Sequence, residues 1–260
     1  MQIFLRRIYG IWGLLCFAIP FLILLPFYHL FATKLKWHRY ASLLNHWWAK
    51  LFFIGIFIPY EIIYRFKPQK GKQYVYCSNH TSMMDIITMG LIVKENHIFV
   101  GKESLTKVPL FGKMFAKLHI PVNRSSKISS YKALLKSMEA IENGKNIIIF
   151  PEGGIYGDHE PLMNPFKDGP FRIAIEKQVP IIPVTILYNW IILKDDDKFL
   201  PKWHKGKAIV HEAIETIGMT ITDLEKLKKM TFDVIEKELR KNYPELYASN
   251  PTNITANSTS

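Results

Sequence analysis

The chain has 260 residues, 48% of them hydrophobic, with a formal net charge of +12 and two cysteines. That length supports one large core, or one domain with an appendage, and the apolar share is too high for an ordinary soluble enzyme and too low for a polytopic transporter. The cysteine count excludes a disulfide framework and fits a reducing compartment, while the basic excess suits anionic lipid headgroups, phosphorylated substrates or an acidic carrier protein; no nucleic-acid motif accompanies it.

From Ile8 to Thr33 there is no Asp, Glu, Lys or Arg. The run exceeds the roughly 20 apolar residues that span a bilayer. It follows Arg6 and Arg7, yet it is too long for the core of a signal peptide and no small-residue cleavage site ends it, so it is expected to be retained. Pro20 and Pro26 are expected to interrupt its helix. A basic, aromatic linker, "KLKWHRY" (34–40), leads to Trp47-Trp48 and a second apolar stretch, "LFFIGIFIPY" (51–60). Basic residues at both ends of the first segment would lie on opposite faces if it crossed, against the positive-inside rule. A shallow or re-entrant hairpin with both ends on the cytoplasmic face resolves this. Two full crossings, or a buried pair of core helices, are the competing readings.

Beyond Lys67-Pro68 short apolar runs alternate with amphipathic stretches. Strands are predicted at 73–78, 97–101, 118–122, 146–150, 179–188 and 207–215. Helices are predicted at 86–93, at 129–145 with Tyr131, Leu134, Leu135, Met138 and Ile141 on one face, at 171–178, and at 222–241 behind a Thr222-to-Glu225 capping box. This alternation predicts an α/β class: a mixed, mostly buried sheet flanked by helices, preceded by an N-terminal membrane-embedded helical hairpin. The expected division is 1–66 for the membrane-associated helices, 67–247 for the globular domain and 248–260 for a disordered polar tail. Four Asn-x-Ser/Thr sequons, at Asn79, Asn123, Asn253 and Asn257, are read as chance, because the first falls within the motif described next.

"CSNHTSMMD" (77–85) places His80 in a polar turn straight after a strand, with Asp85 five residues on. On one continuous helix those positions lie about 140° apart and would not meet. His80 is therefore expected in the turn, with Thr81 or Ser82 as helix cap and Asp85 in the first turn. The carboxylate then accepts from one ring nitrogen and leaves the other free as a base. There is no Gly-x-Ser-x-Gly elbow, and a covalent role for Cys77 has little to support it. Spacing alone leaves other readings open: a His that caps a buried turn beside an Asp serving a helix N-terminus, or a metal site completed by His119 or His159. Two further polar groups follow predicted strands, Arg124 in "IPVNR" and Glu152-Gly153-Gly154 in "IFPEGG". A guanidinium fork suits phosphate, and a Gly pair permits close backbone approach.

Together these stretches resemble the lysophosphatidic acid acyltransferases (1-acyl-sn-glycerol-3-phosphate acyltransferases), the glycerolipid acyltransferases with a His-x4-Asp signature. "NHTSMMD" resembles their first block, "VNR" the second, which ends in Asp-Arg, "FPEGG" the third, Phe-Pro-Glu-Gly-Thr-Arg, and "VPIIPV" (179–184) the fourth; "GKESLTKVPLFG" (101–112) is similar to the stretch between the first two. The resemblance covers roughly residues 70 to 215, with four blocks in order. It implies His80 as general base, Asp85 as its partner, and Arg124, Glu152, Gly153 and, as a weaker addition, Lys102 as acceptor-binding residues. It implies acyl transfer from coenzyme A or acyl carrier protein to a lysophospholipid hydroxyl at the membrane, with no cofactor, no metal and no nucleic acid. Two departures stand out: Asn123 replaces the usual Asp, and Gly154-Ile155 replace the usual Thr-Arg. The missing Arg leaves Lys113, Lys167 or Arg172 to supply a cation, or points to a lyso-aminolipid acceptor. A non-catalytic lipid-binding membrane protein and a metal-dependent hydrolase are the readings from other classes.

Overall fold

A computed structural model of the chain describes residues 1–156, 160–196 and 198–248. The polar tail expected from 248 lies, apart from Ala248, outside the described residues, as do His159 and the sequons at Asn253 and Asn257.

Two helices open the chain, α1 (Gln2–Phe31) and α2 (His38–Gly55). Pro20 and Pro26 lie inside α1, which runs on without a break, so the expected interruption is not seen. A Pro removes only its own N–H from the helix ladder and leaves its neighbours' bonds in place. The two helices pack antiparallel, tied by Tyr9 Oη donating to Ile56 O (2.7 Å), Trp12 Nε1 to Gly55 O (2.8 Å), Trp48 Nε1 to Phe17 O (3.0 Å) and Tyr28 Oη to Asn45 Oδ1 (2.8 Å). Thirty residues give α1 a length of about 45 Å. It is long and apolar enough to cross a membrane, and among the described residues no other helix is. Its outer face exposes Phe4, Ile11, Leu15 and Ile23.

Both ends of α1 also touch the globular body. Arg6 donates to Leu200 O and to Pro201 O, and Phe21 packs on Phe111 with ring centroids 5.8 Å apart. The helix therefore lies along the body rather than projecting from it.

The body is built on seven strands: β1 (Tyr60–Tyr64), β2 (Val75–Ser78), β3 (His97–Lys102), β4 (Ile120–Val122), β5 (Asn146–Ile149), β6 (Ile181–Ile186) and β7 (Gly206–Val210). They form one sheet in the order β1-β7-β6-β2-β5-β3-β4, parallel throughout except for the antiparallel β6–β7 pair. The helices that connect and cover it are α3 (Met84–Ile92), α4 (Gly112–Leu118), α5 (Lys127–Glu142), α6 (Gly169–Lys177), α7 (Asn189–Ile192), α8 (Leu224–Asn242) and α9 (Pro244–Ala248). The central strands β2 and β6 are buried on both faces, which is why they read as continuous apolar runs. The mixed α/β sheet flanked by helices is the class the sequence predicts.

Three details differ from the sequence reading. Strand β1 belongs to the sheet although it precedes residue 67; "YEIIY" continues a greasy segment and carries no break in composition. On α5 the buried residues are Ala133, Ser137, Met138, Ala140 and Ile141, while Tyr131 and Leu135 are exposed. Small residues there let α5 approach its neighbours, a packing requirement that hydrophobicity alone does not register. The capping box before α8 is formed by Thr220 and Asp223, which close a 3-10 turn two residues earlier than expected.

Gly206 sits opposite Tyr60 across β1–β7, and a Cβ there would lie 2.2 Å from the Tyr60 ring. Gly206→Ala is expected to cost about 2 kcal/mol by overpacking, lowering the Tm by several degrees. An unchanged melting curve would mean that Tyr60 is not held against β7.

Candidate active site

The site forms where the parallel strands β2 and β5 end, the position at which open α/β sheets present their loops to ligands. After β2 the chain turns through 79–83 before α3 begins. Asn79 fixes that turn to β6: its Nδ2 donates to Ile186 O (2.9 Å) and its Oδ1 accepts from Ile186 N (2.8 Å). Ser82 Oγ accepts from Met84 N (3.2 Å) and donates to Leu193 O (2.7 Å), and the Thr81 hydroxyl is buried with no partner; the N-cap of α3 is Met83 rather than the expected Thr81 or Ser82.

Asp85 lies in the first turn of α3 and has no exposed surface. One oxygen, Oδ2, accepts from Thr81 N (2.7 Å), Ser82 N (2.9 Å) and His80 Nδ1 (3.1 Å). The other, Oδ1, accepts from Asn189 Nδ2 (2.8 Å). A carboxylate can only accept, so Nδ1 of His80 carries the proton and Nε2 is left with its lone pair. The imidazole also stacks on Phe150, just after β5, with centroids 3.9 Å apart. Its tautomer and its plane are thus both set by neighbours.

Glu152 is buried at 2% exposure and lines neither cavity at the site. Its Oε1 accepts from His80 N (2.8 Å) and its Oε2 from Asn164 N (2.8 Å). Burial pushes its pKa up to about 7, against the lowering effect of the Asn164 and His80 N–H groups. The position makes Glu152 a support for the His80 backbone.

A cavity of about 1390 Å³ opens over His80. It runs between α1 and the body and exceeds the usual range for small-ligand pockets. Its walls are apolar, including Phe17, Trp48, Met84 and Phe111, and Lys102 and Arg124 line it too. Thus His80, Lys102 and Arg124 share one cavity. Gly153 instead borders a smaller adjoining hollow of about 170 Å³. Its φ of +83° is one that favours glycine, and its carbonyl accepts from Arg124 Nη1.

Cys77 is fully buried in β2, and burial pushes its thiol pKa far up, which removes the nucleophile that a covalent route would need. His119 is half-buried against Phe99 and Phe115, its Nδ1 accepts from Phe99 N (3.2 Å), and desolvation holds its pKa down at about 3. Among the described residues no group of three or more His, Cys, Asp or Glu is placed to hold a metal ion.

A family model for acyltransferases matches residues 61–187, the stretch that carries this constellation. The chain is 28% identical over 209 residues to the 1-acyl-sn-glycerol-3-phosphate acyltransferase of Haemophilus influenzae, covering 76% of this chain and 81% of that one. Over this stretch the chain is similar to the lysophosphatidic acid acyltransferases. It is also 28% identical over 185 residues to the chloroplastic 1-acyl-sn-glycerol-3-phosphate acyltransferase BAT2 of Brassica napus; that match takes in 69% of this chain and only about half, 53%, of the plant protein. The crystal structure of the acyltransferase PlsC from Thermotoga maritima shares the fold, with a TM-score of 0.72 at 22% identity over 91% of this chain and 97% of that one.

Sequence reasoning did not reach Asn189, which also donates to Thr88 Oγ1 (2.9 Å) and accepts from Tyr60 Oη (3.0 Å). It lies 104 residues from Asp85 in "LYNW", with no motif around it, so only the fold connects them.

The raised pKa of Glu152 has a consequence for stability. Between about 4.5 and about 7 the folded chain keeps a proton that the unfolded chain has released, so this group makes stability fall as pH rises through that window. The effect is on the order of 3 kcal/mol across it. Buried His97 and His211 and half-buried His119, with lowered pKa values, act with the opposite sign. The comparison with Glu152→Gln isolates the carboxyl: denaturation from pH 4.5 to 7.5 should show wild type losing stability relative to the variant, and parallel curves would refute the assignment.

Proposed function

We propose that this chain transfers a fatty acyl group from an acyl thioester, on coenzyme A or acyl carrier protein, to the free hydroxyl of 1-acyl-glycerol-3-phosphate, giving phosphatidic acid. The observation that carries the reading is a His base, oriented by a buried Asp, facing a long apolar cavity that also holds Arg124.

His80 Nε2 takes the proton of the acceptor hydroxyl as its oxygen attacks the thioester carbonyl. The tetrahedral adduct collapses with cleavage of the C–S bond, and the departing thiolate recovers the proton from the imidazolium. Asp85 stays ionised and stabilises that cation while it lasts. The steps balance without a cofactor. The acyl tails occupy the apolar cavity, and Arg124 and Lys102 face the anionic end of the acceptor.

The exposed apolar side of α1 seats the enzyme in the lipid phase where acceptor and product dissolve. Contacts of Arg6 and Phe21 with the body favour a shallow seat over a crossing. With Arg6 and Arg7 near the start of α1 and Lys34, Lys36 and Arg39 after it, both ends lie on the cytoplasmic face. A lyso-aminolipid acceptor is less well supported, because the curated relatives described above are named for the phosphate acceptor.

His80→Ala should lower kcat by about 10²–10⁴, while the protein stays folded by circular dichroism and floats with vesicles. Asp85→Asn should lose less, since it keeps an acceptor oxygen toward Nδ1. The check is labelled-acyl incorporation into phosphatidic acid by purified protein; more than a tenth of the wild-type rate in His80→Ala would sink the base role.

A further inference from the structure

The outward face of α5 carries three large apolar side chains that the rest of the fold leaves uncovered. Ile128, Tyr131 and Leu135 are 70%, 56% and 44% exposed. At about 100° per residue they lie within about 60° of one another around the helix axis, and they run about 10 Å along it. Single exposed apolar residues are ordinary on a surface, whereas an apolar ridge inside a charged rim has the make-up of a protein contact. Lys127 flanks the ridge on one side, and Lys132 and Lys136 flank it on the other. All three lysines are exposed, and among the described residues none has a carboxylate within ion-pair distance.

This order of charges works against the helix. A helix macrodipole favours acids in the first turn and bases in the last. In α5 the first turn holds Lys127 and no acid, while Glu139 and Glu142 come at the far end. From Ser104 to Met138 the chain has no Asp or Glu. The start of α5 is held by neutral groups instead: Ser126 Oγ accepts from Ser129 N (3.2 Å), and Ser129 Oγ accepts from Asn123 N (2.9 Å). The reversed order concentrates positive potential at the end that carries Ile128. Asn123, Arg124 and Ser125 line the cavity over His80, so that end of α5 adjoins its rim.

The ridge lies away from the lipid side. Along β2, Tyr76 points into the core closed by α3, and Val75 and Cys77 point into the core closed by α5. Ala49, Phe52 and Phe53 of α2 pack on Met84, Ile87 and Leu91 of α3, and α1 packs on α2. The sheet thus separates α5 from both amino-terminal helices, and a bilayer seated on α1 leaves the α5 ridge in water. Coenzyme A is a small polyanion and has no use for a long apolar ridge. A small acidic protein that presents carboxylates around the apolar residues of a helix matches it in both charge and shape.

We infer that the outward face of α5 docks an acyl carrier protein, with Ile128, Tyr131 and Leu135 as the apolar centre and Lys127, Lys132 and Lys136 as the basic rim. The inference rests on the acyl transfer proposed above and names the carrier of its donor. The donor then arrives from the aqueous side of the sheet and the acceptor from the side of α1.

Steady-state kinetics on the full chain in detergent–lipid micelles, with one acyl group offered on acyl carrier protein or on coenzyme A, test this. Lys127→Glu with Lys132→Glu should raise KM for the carrier-protein donor at least about tenfold, with KM for acyl-CoA and for the lysophospholipid within about twofold of wild type. An acid in the first turn suits the macrodipole, so this variant should melt no lower than wild type. Ile128→Gln with Leu135→Gln should raise the same KM severalfold without a change of charge. Raising ionic strength from about 0.01 to about 0.15 M, which cuts the screening length from about 30 to about 8 Å, should weaken use of the carrier protein by wild type and much less by the Lys→Glu variant. An unchanged carrier-protein KM in both variants, or an equal rise for both donors, overturns the inference. So does loss of flotation with anionic vesicles in the Lys→Glu variant, which would assign the face to the membrane. Wild type that uses acyl-CoA but no carrier-protein thioester overturns it too and leaves the acyl transfer intact. A wild type that makes no phosphatidic acid from either donor defeats the proposed function itself.

Discussion

A carboxylate with no solvent exposure sits at the start of α3, and the site depends on how its charge is satisfied. Asp85 accepts four hydrogen bonds, from His80 Nδ1, two backbone N–H groups and Asn189. Burying an ionised group without such partners would cost several kcal/mol. The donors are therefore part of the fold as well as part of the site. Asn189 passes the connection on to Tyr60 in the edge strand and to Thr88 in α3. Strand, helix and the turn after β6 are joined through one side-chain amide.

The same network explains why a short polar turn can hold an imidazole in a defined orientation. Asp85 sets the tautomer, Phe150 sets the ring plane, and Glu152 holds the backbone N–H of His80. Asp85 comes from α3 and the other two from the loop after β5, so the imidazole is held from two sides. Such preorganisation is what proton transfer in a fixed geometry requires. On its open side the imidazole faces a cavity whose far wall is α1. That helix is both the greasy surface of the protein and one side of its binding space.

Glu152 and Gly153 follow β5 and Arg124 follows β4, with β3 between the two strands, and they make different contacts. Arg124 is held by the Gly153 carbonyl and faces both cavities, Gly153 makes room for the Lys167 side chain, and Glu152 turns inward. The residues read from the second and third blocks thus divide into a cavity-facing part and a supporting part.

Much of this was legible in the amino-acid order. The sheet strands appeared as apolar runs, because strands covered on both faces need no polar alternation. His80 and Asp85 could be paired by local geometry, because five residues across a turn and a helix start can meet while five residues along a helix cannot. The greasy amino-terminal segment showed itself by the absence of charge between Ile8 and Thr33. What only the tertiary structure decided are relations across long separations: β1 in the sheet, Asn189 on Asp85, α1 along the body, and Lys167 over Gly153. None carries a local periodicity or spacing. Each depends on which segments the sheet order brings together, and packing, unlike propensity, is not written into neighbouring residues.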